Sequence, residues 1–437
     1  MSSSRVIYFG PGPSALPEDV LEQTSKALFN FNDTGIGIAE VSHRSKDFQT
    51  YIAHCEALIR EQLHVPPTHK ILFTQGGGSG QFSAVVLNML ARHRLLHPNL
   101  DDDDRTMDYV ITGSWSNAAA EEAKRLGGAK FHVAVDARTY SKDGKFDSIP
   151  PHAVYNFSPD PALIYYCENE TVNGVQFAKD ENSPASFPFH LLPKDKLLPL
   201  VGDYSSSFMS RRIPRLADHA IIYAGAQKNL GPAGLTIVIV RQDCLVDVDA
   251  AARYGATPVP VTMSYKTLSD KGSLFNTPPV LAIYMAGLVL ERNKKLGGVE
   301  YYEDLNQRKA DKVYGALREG EKRGIFRSIV NIGSGSMMNI VFEVLGEGAE
   351  AKFLAEAENR GLKGLKGHRS VYSMLLKRCA DYSHRSLGGT MRAFDAGHRL
   401  TLSLTGIRVS LYNAITEEQT SKLVSYMKWF IVGGGQQ

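Results

Sequence analysis

Two apolar runs, Ala220-Ile221-Ile222-Tyr223 and Leu235-Thr236-Ile237-Val238-Ile239-Val240, flank a link of small, apolar and turn-forming residues that holds one lysine, Lys228. Runs of this kind bounded by glycine and proline read as two buried strands, with the link turning at the edge of a packed sheet. An amine held there loses hydration, so its ammonium form is disfavoured and it is primed to attack a carbonyl carbon. Schiff-base chemistry is the first expectation for Lys228, set against the commoner fate of a lysine as a solvated surface charge.

What would settle the choice is a second, acidic site placed to hold a pyridine ring. Leu198-Pro199-Leu200-Val201-Gly202-Asp203 is an apolar run that ends on an aspartate and is followed by Tyr204 and three serines, as a parallel strand delivers a carboxylate at its C-terminal end. A carboxylate beside a pyridine nitrogen keeps it protonated, so that the ring can accept electrons from a substrate carbanion. Asp203 is the candidate for this role, and a turn or cap is its alternative.

Composition narrows the field without deciding it. A chain of 437 residues with 43% hydrophobic content buries a large core and is expected to form two lobes. The formal charge of +3, from 49 basic and 46 acidic residues, gives no electrostatic footprint for nucleic acid. Cys55, Cys167, Cys244 and Cys379 lack paired spacing and read as reduced thiols, with neither a metal site nor a disulfide framework. The N-terminal residues run straight into Val6-Ile7-Tyr8-Phe9 with no signal-peptide or membrane-spanning stretch, so a cytoplasmic location is expected.

Strand and helix patterns alternate along most of the chain. Helices are expected from Pro17 to about Phe29 and from Lys46 to Leu63, with a glycine-rich extended loop, Gly35 to Arg44, between them. Lys70 to Thr74 reads as a strand, Gln75-Gly76-Gly77-Gly78-Ser79-Gly80 as a loop, and about Gln81 to His93 as a helix. Free amides at a helix start favour an anion, although a plain tight turn is as good a reading of the glycines, whose spacing is neither that of a Walker A loop nor that of a dinucleotide fingerprint. The Asp101 to Asp104 run is an exposed loop. Trp115 follows the strand Tyr109 to Thr112, either as a ring stacked on a heteroaromatic ligand or as a core aromatic. Leu163 to Cys167 leads to Asn169-Glu170-Thr171. The alternation predicts a mostly parallel sheet with crossover helices. From about Pro279 long helices, Leu281 to Leu296 and Leu305 to Lys322, precede the strand Ile340 to Val344 and the helix Ala349 to Arg360. This predicts a smaller α+β lobe, with the large domain at 1–280, the small one at 281–437, and residues 1–16 packing near the latter.

With these residues laid out, the chain closely resembles the phosphoserine aminotransferases, class-V members of the fold-type I pyridoxal-phosphate enzymes, over nearly its full length. The resemblance rests on Phe9-Gly10-Pro11-Gly12-Pro13, Ser42-His43-Arg44, Gln75-Gly76-Gly77-Gly78 with Gly80-Gln81-Phe82, Asn169-Glu170-Thr171, Tyr223 to Gly234, Phe275-Asn276-Thr277-Pro278-Pro279, and Leu362 to Arg369. It implies that Lys228 carries pyridoxal 5'-phosphate as a Schiff base, Asp203 pairs with the ring nitrogen, Trp115 stacks on the ring and Thr171 lies beside it. It also implies that Gly78, Ser79 and Gln227 hold the cofactor phosphate, joined by Asn276 and Thr277 from the partner subunit of a homodimer. His43, Arg44, His368 and Arg369 are the implied cluster for a substrate phosphate or side-chain carboxylate, where an arginine fork grips bidentately and histidines add donors. Surface charge is their alternative. The implied reaction moves an amino group from L-glutamate to 3-phosphooxypyruvate, in serine biosynthesis.

The sequence departs from the family between Arg369 and Gly406. Residues 371–405 interrupt the expected run before Gly406-Ile407-Arg408-Val409-Ser410 resumes it, and segments of this length without structure of their own are uncommon in compact domains. They read as a retained intron or as a surface excursion. Arg408 is the candidate for the substrate α-carboxylate, ahead of Arg392, which sits in a look-alike of the same motif inside the insertion. The competing readings are a homologue silenced by the insertion, another class-V aminotransferase, or a cysteine desulfurase. The last needs a cysteine in a glycine-rich active-site loop, which none of the four occupies.

Overall fold

The computed structural model describes residues 5–193, 196–367 and 406–434. His368, Arg369, Cys379, Arg392 and the 371–405 insertion lie outside the described residues. The chain begins with β1 (Ile7–Tyr8), α1 (Glu18–Ala27) and α2 (Lys46–Leu63). Then come β2 (His69–Thr74), α3 (Gly77–Leu96), β3 (Thr106–Ile111), α4 (Ser114–Leu126), β4 (Lys130–Asp136) and β5 (Leu163–Cys167). A short hairpin of β6 (Asn169–Glu170) and β7 (Val175–Gln176) precedes β8 (Leu200–Asp203), β9 (His219–Gly225) and β10 (Thr236–Arg241). Helices α5 (Val248–Arg253), α6 (Tyr265–Asp270), α7 (Val280–Leu296) and α8 (Gly298–Lys322) follow. The remainder comprises β11 (Phe326–Ser328), β12 (Asn339–Val344), α9 (Ala349–Asn359), β13 (Leu362–Lys363), β14 (Ile407–Ser410) and α10 (Glu417–Trp429).

The central sheet has the order β2-β10-β9-β8-β5-β3-β4, parallel throughout except for β10, which runs antiparallel to both neighbours. Every residue of β9 and β10 is buried. Successive residues face opposite cores: Ile222 and Ile239 join one cluster with Phe73 and Ile164, while Ile221, Tyr223 and Val238 join the other with Val201 and Tyr165. Helical layers on both faces are what a parallel sheet requires, and they explain why its strands read as unbroken apolar runs. Helix α2 shows how such a layer is pinned. Ser45 caps it by accepting from Phe48 N at 3.2 Å, and its buried face turns toward α7, where Tyr51 donates to the Tyr284 carbonyl at 2.8 Å.

A second sheet, β11-β12-β14, is antiparallel and packs its own core of Phe326, Phe342, Phe353 and Val409. The N-terminal strand β1 pairs in parallel with β13, with Ile7 opposite Leu362. Among the described residues no helix is long and apolar enough to cross a membrane.

Two helix starts differ from the sequence reading. Helix α3 begins at Gly77, not near Gln81, so the glycine cluster forms its first turn. The chain enters through Gly76 and Gly77, at φ +98° and +61°, and the Gly77 amide donates to Thr236 Oγ1 at 2.8 Å. Glycine is needed for that backbone and costs little at a helix end. Helix α8 starts at Gly298 instead of Leu305, directly after the left-handed Gly297 that closes α7.

Candidate active site

The parallel strands deliver their C-terminal ends to one edge of the sheet, where α/β folds bind ligands. Beyond β2 comes the start of α3 with Gly78, beyond β3 comes Trp115, beyond β5 comes Thr171, at the end of β8 sits Asp203, and beyond β9 comes Lys228.

The Lys228 turn is closed by its own backbone: Ala226 N donates to Leu235 O at 3.0 Å and Gly231 N to Ala226 O at 2.8 Å. The N-terminal segment lies across it. Ser14 N donates to Gln227 O at 3.0 Å, and the Ser14 hydroxyl donates to the Lys228 carbonyl. Gly12, at φ +127°, leaves room here, since a Cβ would stand 3.2 Å from Lys228 Cγ. Lys228 Nζ donates to Thr171 Oγ1 at 2.8 Å and lies 5.8 Å from the centre of the Trp115 ring. Burial lowers the affinity of this amine for its proton and Arg408 pushes the same way, while Asp203, Cys167 and Glu170 pull back; burial prevails.

Asp203 is 5% exposed and fully engaged. Oδ1 accepts from Ser205 N at 2.8 Å, and Oδ2 accepts from the Tyr223 hydroxyl at 3.0 Å, which in turn meets the Tyr165 hydroxyl at 2.8 Å. Tyr223 stands opposite Asp203 in the β8–β9 register. Gly78 opens on the same hollow, since a Cβ there would lie 3.7 Å from Ser205 Oγ and 3.9 Å from Asp203 Oδ2. Ser79 is exposed beside it. The Gln227 side chain folds back over Gly225, where a Cβ would fall 2.5 Å from its Oε1. Asn276 and Thr277 are exposed. Within the same chain, Gln75 Nε2 donates to Thr277 O at 3.0 Å, and Asn276 lines a hollow of about 360 Å³ with Gly76 and Gly80.

Arg408 reaches this edge from the second sheet. It stands on β14 opposite Val341, is 3% exposed, and its Nη1 makes a long contact of 3.5 Å to the Thr171 carbonyl. Its Nε is buried without an acceptor among the described residues. Burial eases its hold on the proton, against the opposing pull of Tyr412 and Tyr8. Lys309 of α8 anchors the turn after β14, donating to the carbonyls of Leu411 at 2.8 Å, Tyr412 at 3.0 Å and Ile415 at 2.9 Å. A buried amide relay joins the β6–β7 hairpin to the second sheet: Asn169 Nδ2 donates to Asn339 Oδ1 at 2.9 Å, and Asn339 Nδ2 donates to Ser410 Oγ at 3.0 Å.

The structure therefore brings Lys228, Asp203, Trp115, Thr171, Gly78 and Arg408 to one place. Arg44 is exposed and His43 Nε2 is buried, and among the described residues neither side chain hydrogen-bonds to the Lys228 hollow and His43 Nε2 has no partner. Sequence reasoning passed over Tyr223, Ser205, Glu170, Asn339 and Lys309. The available signal was a polar residue inside an otherwise apolar element, as at Tyr223, whereas Lys309 lies among other charged residues of its helix; their partners come from strand register and packing.

A family model described as aminotransferase class-V matches residues 6–423. The chain belongs to the class-V aminotransferases, on a fold-type I scaffold. A phosphoserine aminotransferase of Desulfotalea psychrophila is 36% identical over 98% of this chain and 98% of its own. One from Nitrosomonas europaea is 38% identical over 90% of this chain and 100% of its own. The solved structure of a pyridoxal-phosphate-bound phosphoserine aminotransferase from Trichomonas vaginalis, 30% identical, superposes with a TM-score of 0.75 over 97% of this chain and 100% of the other. Within the class, the chain falls among the phosphoserine aminotransferases.

Proposed function

We propose that the chain catalyses reversible transfer of the amino group of L-glutamate to 3-phosphooxypyruvate, giving O-phospho-L-serine and 2-oxoglutarate, with pyridoxal 5'-phosphate as cofactor. The observation that carries this reading is the meeting of an amine with weakened hold on its proton, Lys228, an engaged carboxylate, Asp203, and a buried guanidinium, Arg408, with a donor unpaired among the described residues, around Thr171.

The residues fit the cofactor. Lys228 offers a nucleophilic amine beside an indole face, Asp203 an oriented carboxylate, and the start of α3 its free amides, because the first donors of a helix have no partner within it. Gly78, Ser79 and Gln227 would hold the phosphate, with Asn276 and Thr277 reaching across a homodimer interface. When bound, pyridoxal phosphate withdraws electrons as the substrate Cα–H bond breaks. The chain supplies the rest. Lys228 Nζ would take the proton from the substrate α-carbon and pass it to the C4′ carbon of the cofactor, a task that suits an amine whose proton affinity burial has lowered. The Tyr223 hydroxyl, which donates to Asp203 Oδ2, would keep that carboxylate in place to pair with the ring nitrogen. Arg408 would grip the substrate α-carboxylate with His43, Arg44, His368 and Arg369 at the other anionic end. We further infer a division near residue 280 and a cytoplasmic location.

The test joins a spectrum to an assay. The purified protein should absorb near the visible band of lysine-bound cofactor, and Lys228→Ala should lose both that band and borohydride-reducible cofactor. Glutamate-dependent turnover of 3-phosphooxypyruvate should accompany the band; a bound cofactor without that turnover overturns the assigned reaction.

A further inference from the structure

Helix α4 carries Trp115 in its first turn, and the amides of that turn are clamped from outside. Ser114 N donates to Asn173 Oδ1, Trp115 N to Glu170 Oε2 and Ser116 N to Glu170 Oε1, each at 2.8 Å. Glu170 is fully buried. No lysine, arginine or histidine hydrogen-bonds to it among the described residues, so the helix start with its partial positive charge is its principal counterpart. The approach is tight: a Cβ on Gly113 would stand 2.3 Å from Glu170 Cδ, so only glycine lets the carboxylate reach the amides.

The indole packs against one of the two cores that flank the sheet, but no hydrogen bond orients it: among the described residues its Nε1 is buried without an acceptor, and Phe82, its aromatic neighbour, is tilted by 52° at 6.5 Å. The ring's place therefore depends on that packing and on its backbone, which Glu170 fixes. The next residue, Thr171, accepts from Lys228 Nζ at 2.8 Å. One dipeptide therefore sets both the indole and the amine.

We propose that Glu170 is a positioning residue whose carboxylate, seated on the first turn of α4, fixes the Trp115 ring relative to Lys228 and so sets how the cofactor ring lies between them. This rests on the cofactor reading above and adds a residue that touches neither cofactor nor substrate. A misplacement of about 1 Å at a reacting centre can cost on the order of 100-fold in rate, so the effect should appear in kcat, while KM for glutamate, set at the Arg408 end, stays within error.

Trp429→Phe leaves Trp115 as the sole tryptophan. In that background, bound pyridoxal phosphate should quench Trp115 emission and give a visible circular-dichroism band. Glu170→Gln should lose most of the quenching and most of the band, with kcat lowered roughly 10- to 100-fold and Glu170→Asp intermediate. Asn173→Ala, at a half-buried site, gives the same direction with a smaller loss and decides the matter if Glu170→Gln does not fold. Unchanged quenching and visible dichroism in the folded variants, with only a lowered melting temperature, would overturn the proposal. Absence of cofactor binding in the parent would overturn the cofactor reading itself, a distinguishable result.

Discussion

The two ends of the site are built in opposite ways. At the Asp203 end the carboxylate and the amine already have partners within the chain: both carboxylate oxygens accept, Tyr223 donates, and Lys228 rests on Thr171, although Trp115 Nε1 there lacks an acceptor among the described residues. At the Arg408 end donors are left over. Among the described residues Arg408 Nε has no acceptor, and its Nη1 contact is long. Buried donors without acceptors are costly in a finished core. The difference separates groups that must be oriented before substrate arrives from groups that wait for its oxygens.

If that contrast is right, damage at the first end should fall on turnover and cofactor affinity, and damage at the second on substrate binding. The largest effect belongs to Lys228→Ala, with kcat lowered by at least about 10²- to 10⁴-fold, the range for a positioned proton-transfer group. Added small amines should restore part of the rate if Nζ is the base. Arg408→Ala should cost about 2–5 kcal/mol in kcat/KM, carried mainly by KM for glutamate; a fall in kcat with KM intact would collapse the distinction between the two ends. Tyr223→Phe removes one donor from a buried carboxylate and should cost about 1.5–3 kcal/mol, read as lower cofactor affinity in spectral titration. Ser79→Ala, on an exposed side chain, should stay within about 0.5 kcal/mol by the same titration.

The frame behind Arg408 adds a pH signature. Burial pushes the Lys309 ammonium down from 10.5 to about 7. Below pH 7 both folded and unfolded chains carry the proton, above 10.5 neither does, and between them only the unfolded chain binds it. Stability contributed by this site therefore rises with pH across that window. Urea midpoints at pH 7 and pH 9 should rise more in the wild type than in Lys309→Met; equal slopes would remove Lys309 from the account.

The cofactor end was legible in the sequence because each residue there follows a strand that announces itself. Asp203 ends an apolar run, and Lys228 sits between two, so pattern alone put them at a sheet edge. Arg408 was reachable only through motif likeness, since its strand is four residues long and gains meaning from β12 beside it. The start of α3 was misjudged because glycine argues against a helix interior yet is tolerated in a first turn. Glu170 and Asn339 could not be assigned from sequence at all. Their roles come from amides and side chains brought close by packing, and no local periodicity encodes that.

The segment that crosses the Lys228 turn also sets an order of events in the life of the chain. Ile7 and Tyr8 add to Leu362 and Lys363, the Phe9 carbonyl accepts from Ser410 N at 3.2 Å, the Pro11 carbonyl accepts from the Tyr412 hydroxyl at 2.7 Å, and Ser14 holds the turn itself. These residues leave the ribosome well before their partners beyond position 360. Domains fold as they emerge, so the central sheet can form during synthesis with its site unlatched. Closure then waits for the C-terminal strands, and a bulky fusion just ahead of residue 5 would burden that late step more than the folding that precedes it.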